Sequence, residues 1–482
     1  MTFAVLLADI SYRLWGKSDF LEREVTDVTA DVSRACADAL FVCTRTPLRD
    51  GHRQVSAAYT AGCRVFVVDS YVELPDDAAI LVVPDAEALL GELAARFWDY
   101  PARALTVLGV SGTAGKTWVC DAVTAMLRRA KYKVAALTTD GLHVGFSLRP
   151  SGNVVPDAAE IQALLRRLLD EGITHVVLEL SAYMLSHKAA FSIPFAAVLL
   201  TNLGKAHVGY GEFATQEAYV QAKLSLLEHE TAVALLPTGA EAIAPSCKCL
   251  RFGREEGDFC ARDVEPFTDA LGFGVRFSLV LPDGQKYAVS LPVPGDIAVE
   301  NALAAAAMAT AVGVPPAAVA KGLSRFMPRG RMECVGVRNR RHVFVDSAFE
   351  ADGLTRALRV LRSYTQGRLT VLLGSVGGRA LWRRAALGKA ATAGADYVYF
   401  TADDPNTEDP IEICNDMVRD LERTNYCVIG DRRHAVERAV LEMRPGDTLL
   451  LAGKGAAGYQ LIGGEKLPFD EREIVARAMA LL

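Results

Sequence analysis

Short apolar runs alternate with helical patterns over most of this 482-residue chain. In its centre the runs are LTVLGV (105–110), KVAALTT (133–139), HVVLEL (175–180) and AVLLTN (197–202). Strands that are apolar throughout are typical of parallel sheets, which are covered by helices on both faces. Parallel neighbours also need a long crossover connection, and the intervening helical stretches supply it. The sequence therefore predicts an α/β fold with a mostly parallel central sheet.

The alternation occurs in three parts of the chain. The N-terminal runs, from LFVCT (40–44) to AILVVP (79–84), end before Pro101, and the alternation restarts with HVFVDS (342–347) after the helix-breaking segment PRGRMECVG (328–336). A chain of this length is typical of about three domains. We predict a smaller N-terminal α/β domain at 1–100, a central domain at 101–328 and a Rossmann-like domain at 329–482. Within the central domain, 258–294 is more strand-like and predicts a small antiparallel addition.

Charge and apolar segments limit the class of partner. The formal net charge is −6, which gives no electrostatic case for nucleic acid. No apolar run is long enough for a transmembrane helix, and the first one is too short for a signal peptide. The ten cysteines include no C-x-x-C pair, so reduced thiols are expected rather than a zinc site. We expect a cytoplasmic monomer that acts on small molecules.

A glycine-rich turn follows the run LTVLGV and precedes a helical pattern. It reads SGTAGKTW (111–118), in which glycines allow backbone N–H groups to surround an anion, a lysine reaches β- and γ-phosphates and a threonine hydroxyl suits Mg²⁺. Val110 stands where the strict P-loop motif has glycine, and the alternative is a chance glycine turn. The predicted nucleotide-binding residues are Gly112, Thr113, Ala114, Gly115, Lys116 and Thr117.

Further motifs follow this loop in a fixed order. They are GTAGKT (112–117), LELSAYML (178–185), TNLGKAHVGY (201–210), YVQAK (219–223), ENALAAAA (300–307), GRME (330–333) and LLAGKG (450–455). Together they resemble the Mur ligase family, in particular the MurE-type members that add the third residue of the peptidoglycan stem peptide. The resemblance covers nearly the whole chain.

The resemblance implies ATP-dependent amide formation in peptidoglycan precursor synthesis. A carboxylate of a UDP-N-acetylmuramoyl-dipeptide would take the γ-phosphoryl group of ATP, and an amino acid would attack the acyl phosphate. The N-terminal, central and C-terminal domains would bind the UDP substrate, ATP and the acceptor amino acid, respectively. The alternatives are a divergent ligase that joins another acid and amine, and a nucleotide-binding partner protein without ligase activity; a phosphotransferase would leave the third domain unexplained.

The resemblance also implies a metal centre for Mg²⁺. Its ligands would be Thr117, Glu179, His207 and a carbamylated Lys223, and the catalytic residues would be Lys116, Lys223 and His207. Carbamylation needs a neutral amine, hence a lysine whose pKa is lowered by burial or by nearby cations. Without the resemblance, Glu179 and His207 would be interpreted as structural residues, and Lys223 as a surface lysine whose ammonium group is solvated. Lys223 lies in a predicted helix for which Thr215 is the expected N-cap.

Other positions match the family's ligand contacts in part. The resemblance implies nucleotide contacts by Asn301, Arg331 and Asp346 and substrate contacts by Asn153 and Ser181. For Asp346 the alternative is a helix N-cap. Several family positions differ: Phe349 replaces a histidine, Asn153-Val154-Val155-Pro156 replaces T-T-T-P, and Ala456-Ala457 replaces the H-E of G-K-G-H-E. The residues of the phosphate loop are retained, whereas several positions that match the family's substrate contacts carry other residues. This pattern favours a divergent member of the family.

The acidic stretch TADDPNTEDP (401–410) resembles the family's acceptor-selecting loop D-N-P-R-x-E-D-P. Diaminopimelate-adding members carry arginine at the position of Asn406, where a guanidinium can pair with the acceptor's second carboxylate. The resemblance therefore argues against diaminopimelate as the acceptor and favours lysine. It implies that Asp404 supplies negative charge to the amine at the far end of the acceptor, and that Gly453 is a further substrate contact. The alternative is a polar turn that caps the next helix.

Overall fold

The computed structural model describes residues 1–47, 49–145, 147–149, 155–204, 212–269, 272–378 and 381–482. It consists of two compact units. The first contains Met1–Cys260 and Leu303–Val319, and the second contains Ala261–Ala302 and Ala320–Leu482. The domain boundaries near residues 101 and 329 stay a prediction.

The N-terminal part of the first unit is built on a five-stranded sheet. Its order is Arg13–Gly16, Ala79–Val82, Val65–Val68, Ala39–Val42 and Asp27–Thr29. The first pair is antiparallel, and the other pairs are parallel. The helices are Phe3–Leu6, Val55–Thr60 and Ala86–Phe97, and the last begins at Asp85, whose carboxylate accepts from the Ala88 N–H. The three inner strands are short and almost fully buried, as their continuous apolar runs indicate, whereas the edge strand Arg13–Gly16 is mostly exposed.

A larger sheet follows in the same unit. Its order is Ser147–Arg149, Gly141–Val144, Val134–Thr138, His175–Glu179, Thr106–Ser111, Phe195–Leu200, Thr231–Pro237 and Lys248–Gly253, with Phe259 and Cys260 of the next strand paired to the last. From Val134–Thr138 onward every pair is parallel. The helices are Lys116–Arg129, Ala158–Asp170, Ala182–Ser186 and Gln216–Leu224. Because parallel strands end at one edge, residues distant in sequence meet there.

The second unit carries a six-stranded sheet. Its order is Glu333–Arg338, Arg341–Asp346, Thr448–Ala452, Leu369–Leu373, Tyr397–Phe400 and Tyr426–Val428. Only the first pair is antiparallel. The helices are Ala351–Tyr364, Arg384–Gly394, Pro410–Val418, Arg432–Leu441 and Glu471–Ala480. Two hairpins pair Gly272–Val280 with Lys286–Leu291 and Tyr459–Ile462 with Glu465–Pro468.

The architecture confirms the predicted α/β class, with a mostly parallel central sheet and further sheets. The antiparallel addition expected within 258–294 is present as the hairpin whose turn ends at Gly284, at φ +79°. Two further helices, Asp296–Ala311 and Pro316–Leu323, follow it. In the described part of the chain no helix is long and apolar enough to cross a membrane. All ten cysteines lie there and none is in a disulfide bond.

Candidate active site

The glycine-rich turn has the backbone that a phosphate loop requires. Ser111 ends the strand Thr106–Ser111, and Lys116 begins the helix Lys116–Arg129. Gly112 and Gly115 lie between them at φ +136° and +85°, in the region that favours glycine. A Cβ on Gly112 would lie 1.9 Å from the Thr201 hydroxyl oxygen. Both the conformation and the close approach therefore require glycine at position 112.

Residues after a neighbouring strand hold the loop in place. The Thr113 N–H donates to the Asn202 carbonyl at 3.1 Å, and the Ala114 N–H donates to the Asn202 side-chain oxygen at 3.0 Å. The Asn202 amide and the Thr201 hydroxyl donate to the Ala114 carbonyl at 3.0 and 2.6 Å. Two of the six predicted loop residues, Thr113 and Ala114, are thereby bonded to the residues that follow the strand Phe195–Leu200. These bonds reduce the conformational freedom that the loop would lose on binding phosphate.

Lys116 occupies the interior of its own loop. Its Nζ donates to the carbonyls of Gly112 and Thr113 at 3.1 and 3.4 Å. These are the hydrogen bonds that phosphate oxygens would replace, since a lysine ammonium has three donors and no acceptor. The position agrees with the predicted role of Lys116 as the cation of the loop.

Glu179 lies at the end of the strand His175–Glu179 and is 6 % exposed. One carboxylate oxygen accepts from the Thr117 hydroxyl at 2.9 Å and from the Thr139 N–H at 3.0 Å, and the other accepts from the Thr139 hydroxyl at 2.8 Å. The carboxylate and the two hydroxyls form a compact set of hard oxygen donors, the ligand type that Mg²⁺ prefers. This donor set fits a magnesium ion beside the phosphate loop.

Lys223 reaches the same loop from the helix Gln216–Leu224. Thr215 caps that helix as predicted, because its hydroxyl accepts from the Ala218 N–H at 3.2 Å. The lysine is 1 % exposed, and its Nζ donates to the Gly112 carbonyl at 2.7 Å. Burial first, and then the charge of Lys116, lower the pKa of Lys223 to about 7. The lysine is therefore not the solvated head group of the alternative reading, and a large fraction of it is neutral near pH 7.

Two predicted site residues, His207 and Asn153, lie outside the described residues. Ser181 is the N-cap of the helix Ala182–Ser186, where its hydroxyl accepts from the Met184 N–H at 3.1 Å. Among the described residues no group of three or more histidine, cysteine, aspartate or glutamate side chains is arranged to hold a metal. A magnesium site at Glu179 would therefore rely on hydroxyl oxygens and on further groups supplied by the ligand, by water or by chemical modification.

The three other predicted nucleotide contacts lie in the second unit. Asn301 is buried in the helix Asp296–Ala311. Asp346 ends the strand Arg341–Asp346, and its carboxylate accepts from the N–H groups of Met332 and Ala348 at 2.8 Å each. The helix that follows begins at Glu350 instead, so the alternative of Asp346 as its N-cap is wrong. Arg331 lies close enough to Asp346 to lower the pKa of that carboxyl, although burial raises it more.

The acidic stretch lies at the carboxyl edge of the second unit's sheet. Asp404 accepts from Lys454 Nζ at 2.6 Å and from the Leu461 N–H at 2.9 Å. Because Lys454 is buried and also lies 3.8 Å from Asp403, it neutralises much of the acidic pair. Asp404 is thus already paired with a lysine of this chain, and its contact with an acceptor amine stays a prediction. Gly453, at φ +104°, leads into Lys454 beside this pair.

The end of the stretch is structural. The Glu408 carboxylate accepts hydrogen bonds from both terminal nitrogens of Arg384, at 2.7 Å each. This bidentate pair lowers the pKa of Glu408 to about 2. Asp409 caps the helix Pro410–Val418 by accepting from the Ile411 N–H, with Pro410 in its first turn. The capped-turn reading is thus correct for the second half of the stretch only.

A cavity of about 320 Å³ lies in the first unit near the predicted substrate segment. Arg49 lines it and donates to Asp157 at 2.7 Å, while Asp157 also forms a capping box with Glu160. Burial first, and then the Asp157 charge, raise the pKa of Glu160. His187 lines the cavity as well and contacts Glu87 at 2.9 Å. Both Arg49 and His187 thus contact a carboxylate of this chain.

Comparison with known proteins identifies the family. The Mur ligase middle domain matches residues 110–309, and the Mur ligase, glutamate ligase domain matches residues 330–455. The two matches together cover more than half of the chain. The chain belongs to the Mur ligase family.

Mur ligases are ATP-dependent ligases, so the predicted enzyme class is confirmed. UDP-N-acetylmuramoyl-L-alanyl-D-glutamate–2,6-diaminopimelate ligase of Caldanaerobacter subterraneus is 30 % identical over 485 residues, which cover 100 % of this chain and 99 % of the relative. The enzyme of that name from Chlorobium phaeobacteroides is 32 % identical, with 95 % and 92 % covered. UDP-N-acetylmuramyl-tripeptide synthetase 2 of Oceanobacillus iheyensis is 28 % identical, with 94 % of each chain covered.

Solved structures show the same fold. A UDP-N-acetylmuramoyl-L-alanyl-D-glutamate–2,6-diaminopimelate ligase has a TM-score of 0.71 at 25 % identity, with 96 % of each chain covered. MurF of Thermotoga maritima in complex with ADP has a TM-score of 0.57 at 16 % identity, with 94 % of this chain and 96 % of that chain covered. The resemblance to MurE-type Mur ligases is confirmed, whereas the preference for lysine stays a prediction.

Some contacts of this Mur ligase were not predicted from sequence. Asn202 holds the phosphate loop and Thr139 holds Glu179. Arg49 pairs with Asp157 beside the cavity, and Lys454 pairs with Asp404. Asn202 and Thr139 each follow an apolar strand of the same sheet. Their place at the carboxyl edge of that sheet could therefore have been predicted from the sequence. Arg49 lies in a short hairpin, where no pattern points to a function.

Proposed function

We propose that this Mur ligase uses ATP to join an amino acid to a UDP-N-acetylmuramoyl-dipeptide through an acyl phosphate. One observation supports this proposal above others: the phosphate loop, Glu179 and Lys223 converge at one sheet edge. The chain is also 30–32 % identical over nearly its full length to ligases named for this reaction.

In the proposed first step, a substrate carboxylate oxygen attacks the γ-phosphorus of ATP, and ADP leaves. The Lys116 ammonium, which now donates to two loop carbonyls, would instead donate to phosphate oxygens. The loop N–H groups and the start of the helix Lys116–Arg129 would add positive potential. These groups reduce the repulsion between the two anions that must meet.

In the proposed second step, the acceptor's amine attacks the acyl carbon. The C–N bond forms, the C–O bond to the phosphoryl group breaks, and inorganic phosphate leaves with the amine's proton lost to solvent or to a base. The net change is one amide bond formed for one ATP hydrolysed to ADP and phosphate.

Thr117 and Glu179 are the proposed protein ligands of Mg²⁺, with Thr139 orienting the carboxylate. When bound, the metal would supply positive charge to the nucleotide phosphates. His207 as a second metal ligand stays a prediction from the family resemblance.

Lys223 is proposed to carry a carbamate. The neutral amine adds to carbon dioxide, a C–N bond forms and one proton is released, so a cation becomes an anion beside the loop. The buried position and the pKa of about 7 support this step, because an ordinary lysine is almost entirely protonated at neutral pH.

The cavity beside Arg49 is the proposed site of the UDP-linked substrate. A guanidinium binds phosphate or carboxylate oxygens strongly, but here it must first leave Asp157. This pairing favours, as a second candidate, a ligase that takes a less anionic acid than a sugar nucleotide. Location in the cytoplasm and the monomeric state stay predictions.

Phosphate release tests the proposal directly. The protein is incubated with ATP, Mg²⁺, UDP-N-acetylmuramoyl-dipeptide and one amino acid at a time, and the product mass is determined. Release that depends on both substrates, and that the Lys116→Ala variant lacks, is expected. Tight ATP binding without release for any amino acid would refute the ligase proposal and favour a nucleotide-binding partner protein; release with another acid alone would favour the second candidate.

A further inference from the structure

The second unit contains a cavity of about 450 Å³ at the amino edge of its six-stranded sheet. His342 lines it at the start of the strand Arg341–Asp346, and Gln366 and Gly446 line it just before two other strands of that sheet. A cavity of this volume is typical of small-molecule sites. The implied nucleotide contact of Asp346 lies at the opposite, carboxyl edge, about 13 Å along the same strand. The cavity is therefore separate from that contact.

Two residues of the lining form the hairpin turn between the strands Glu333–Arg338 and Arg341–Asp346. They are Asn339 and Arg340, at φ +48° and +61°. A two-residue turn with positive φ at both positions prefers Asn-Gly, because asparagine and glycine tolerate the left-handed region and other side chains clash there. This chain thus has a guanidinium at position 340, where glycine would suit the turn better. Backbone strain of this kind is found preferentially at functional sites.

The same turn gives the cavity positive charge. Arg338 and Arg340 both line it and are exposed, and among the residues that the structure describes neither forms an ion pair with a carboxylate. Arg338 Nη1 donates to the Met479 carbonyl at 2.6 Å, which orients the guanidinium and leaves its other N–H donors available. Within the described part of the lining, Asp269 is the one carboxylate. Although the chain carries a net charge of −6, this cavity suits an anion.

Aromatic rings form a further wall of the cavity. The Phe273 ring centre lies 5.1 Å from that of Tyr364, with 19° between the planes, and 4.3 Å from that of His342. Phe273 and His342 are buried, whereas Tyr364 is half-buried and its hydroxyl donates to the Gly274 carbonyl at 3.2 Å. Burial lowers the pKa of His342, so the positive charge near pH 7 comes from the arginines. A fixed wall of flat rings suits a ligand with a planar group.

We propose that this cavity binds a nucleoside diphosphate. Arg338 and Arg340 contact the phosphate oxygens, which guanidinium groups bind strongly, and the base lies against the ring wall at Tyr364. The side-chain amides of Asn339 and Gln366 supply donors and acceptors for the edge of the base. ADP and UDP both have this chemistry. The site goes beyond the proposed ligase function and does not depend on it.

Equilibrium dialysis of ADP and of UDP, with inorganic pyrophosphate as the probe for the phosphates alone, tests the proposal. Arg340→Gly should raise the Kd of one nucleotide site about 10- to 100-fold, the range of a lost charged hydrogen bond, and leave any other site within about 2-fold. The nucleotide that loses affinity is the one that the cavity binds. Because glycine suits the turn, thermal unfolding of Arg340→Gly should occur at or above the wild-type temperature. Arg356→Gln, at an exposed site on the helix Ala351–Tyr364, is the matched control and should bind as wild type does.

Hydrogen exchange locates the bound nucleotide. The amides of 336–343 and 364–369 should exchange more slowly with ADP or UDP in wild type, and this protection should be absent in Arg340→Gly. Equal binding of both nucleotides to wild type and Arg340→Gly would overturn the proposal, and so would pyrophosphate binding as tightly as the nucleotide, since the ring wall would then contribute nothing. These measurements contain neither the acid substrate nor an amino acid, so their outcome is independent of whether the protein is a ligase.

Discussion

Replacing Lys223 by methionine should stabilise the first unit and abolish activity at the same time. The side chain is 1 % exposed, and burial lowers its pKa from the ordinary 10.5 to about 7. A shift of one pKa unit corresponds to about 1.4 kcal/mol. At low pH, where the lysine is protonated in both the folded and the unfolded state, the buried charge therefore lowers the free energy of unfolding by about 5 kcal/mol. Methionine has a similar length and no charge, which removes this cost.

The sign of the pH dependence follows from the same values. Between pH 7 and pH 10.5 the unfolded chain holds a proton on Lys223 that the folded protein has mostly lost, so the stability of wild type rises with pH. From pH 7 to pH 9 the rise is about 2 kcal/mol. Above pH 10.5 the lysine is neutral in both states and the cost disappears. The Lys223→Met variant lacks this contribution over the whole range.

Urea unfolding at pH 7 and pH 9 measures the effect. Buffers must be free of carbon dioxide, so that no carbamate forms. Tryptophan fluorescence is suitable because Trp15, Trp98 and Trp118 lie in the first unit, and Lys248→Met, at an exposed strand position, is the control. If wild type and Lys223→Met gain equally between the two pH values, the lysine is solvated and the physical basis for its carbamylation is refuted.

Three further variants test other contacts. Gly112→Ala, which places a Cβ 1.9 Å from a threonine oxygen, should weaken ATP binding at least about 10-fold in a titration with fluorescent nucleotide; equal affinity would contradict the loop geometry. Asp157→Asn keeps an N-cap residue but frees Arg49, so the KM for the UDP-linked substrate should fall about 3-fold or more; a rise in KM would count against Arg49. Arg384→Met, which removes a buried guanidinium paired with two carboxylates, should cost about 3 kcal/mol in urea unfolding, while Arg419→Met at the surface should cost under about 0.5.

The sheets and the phosphate loop could be predicted because their signals are local. A continuous apolar run followed by G-T-x-G-K-T fixes a strand, a turn and a helix start within a dozen or so positions. Thr215 was likewise predicted as an N-cap, since a threonine before a helical pattern is a local signal.

Contacts between distant segments were not predictable in the same way. Lys454 and Asp404 are 50 positions apart, and nothing in either segment shows that the lysine neutralises the aspartate. Asn406 was assigned a role from its place in a motif, but its backbone is paired with the strand Tyr459–Ile462. Motif position alone therefore does not show which side chain of this loop would face a ligand, because that depends on pairing with a segment distant in sequence.

The shared carbonyl of Gly112 links the proposed carbamylation of Lys223 to nucleotide binding. Lys116 and Lys223 donate to that one oxygen at 3.1 and 2.7 Å, and the first charge helps to keep the second amine neutral. Once nucleotide phosphates neutralise Lys116, this influence fades and Lys223 becomes more basic. If Lys223 carries the proposed carbamate, we expect carbon dioxide to add most readily before ATP binds, and a preparation stored with nucleotide in degassed buffer to recover activity slowly.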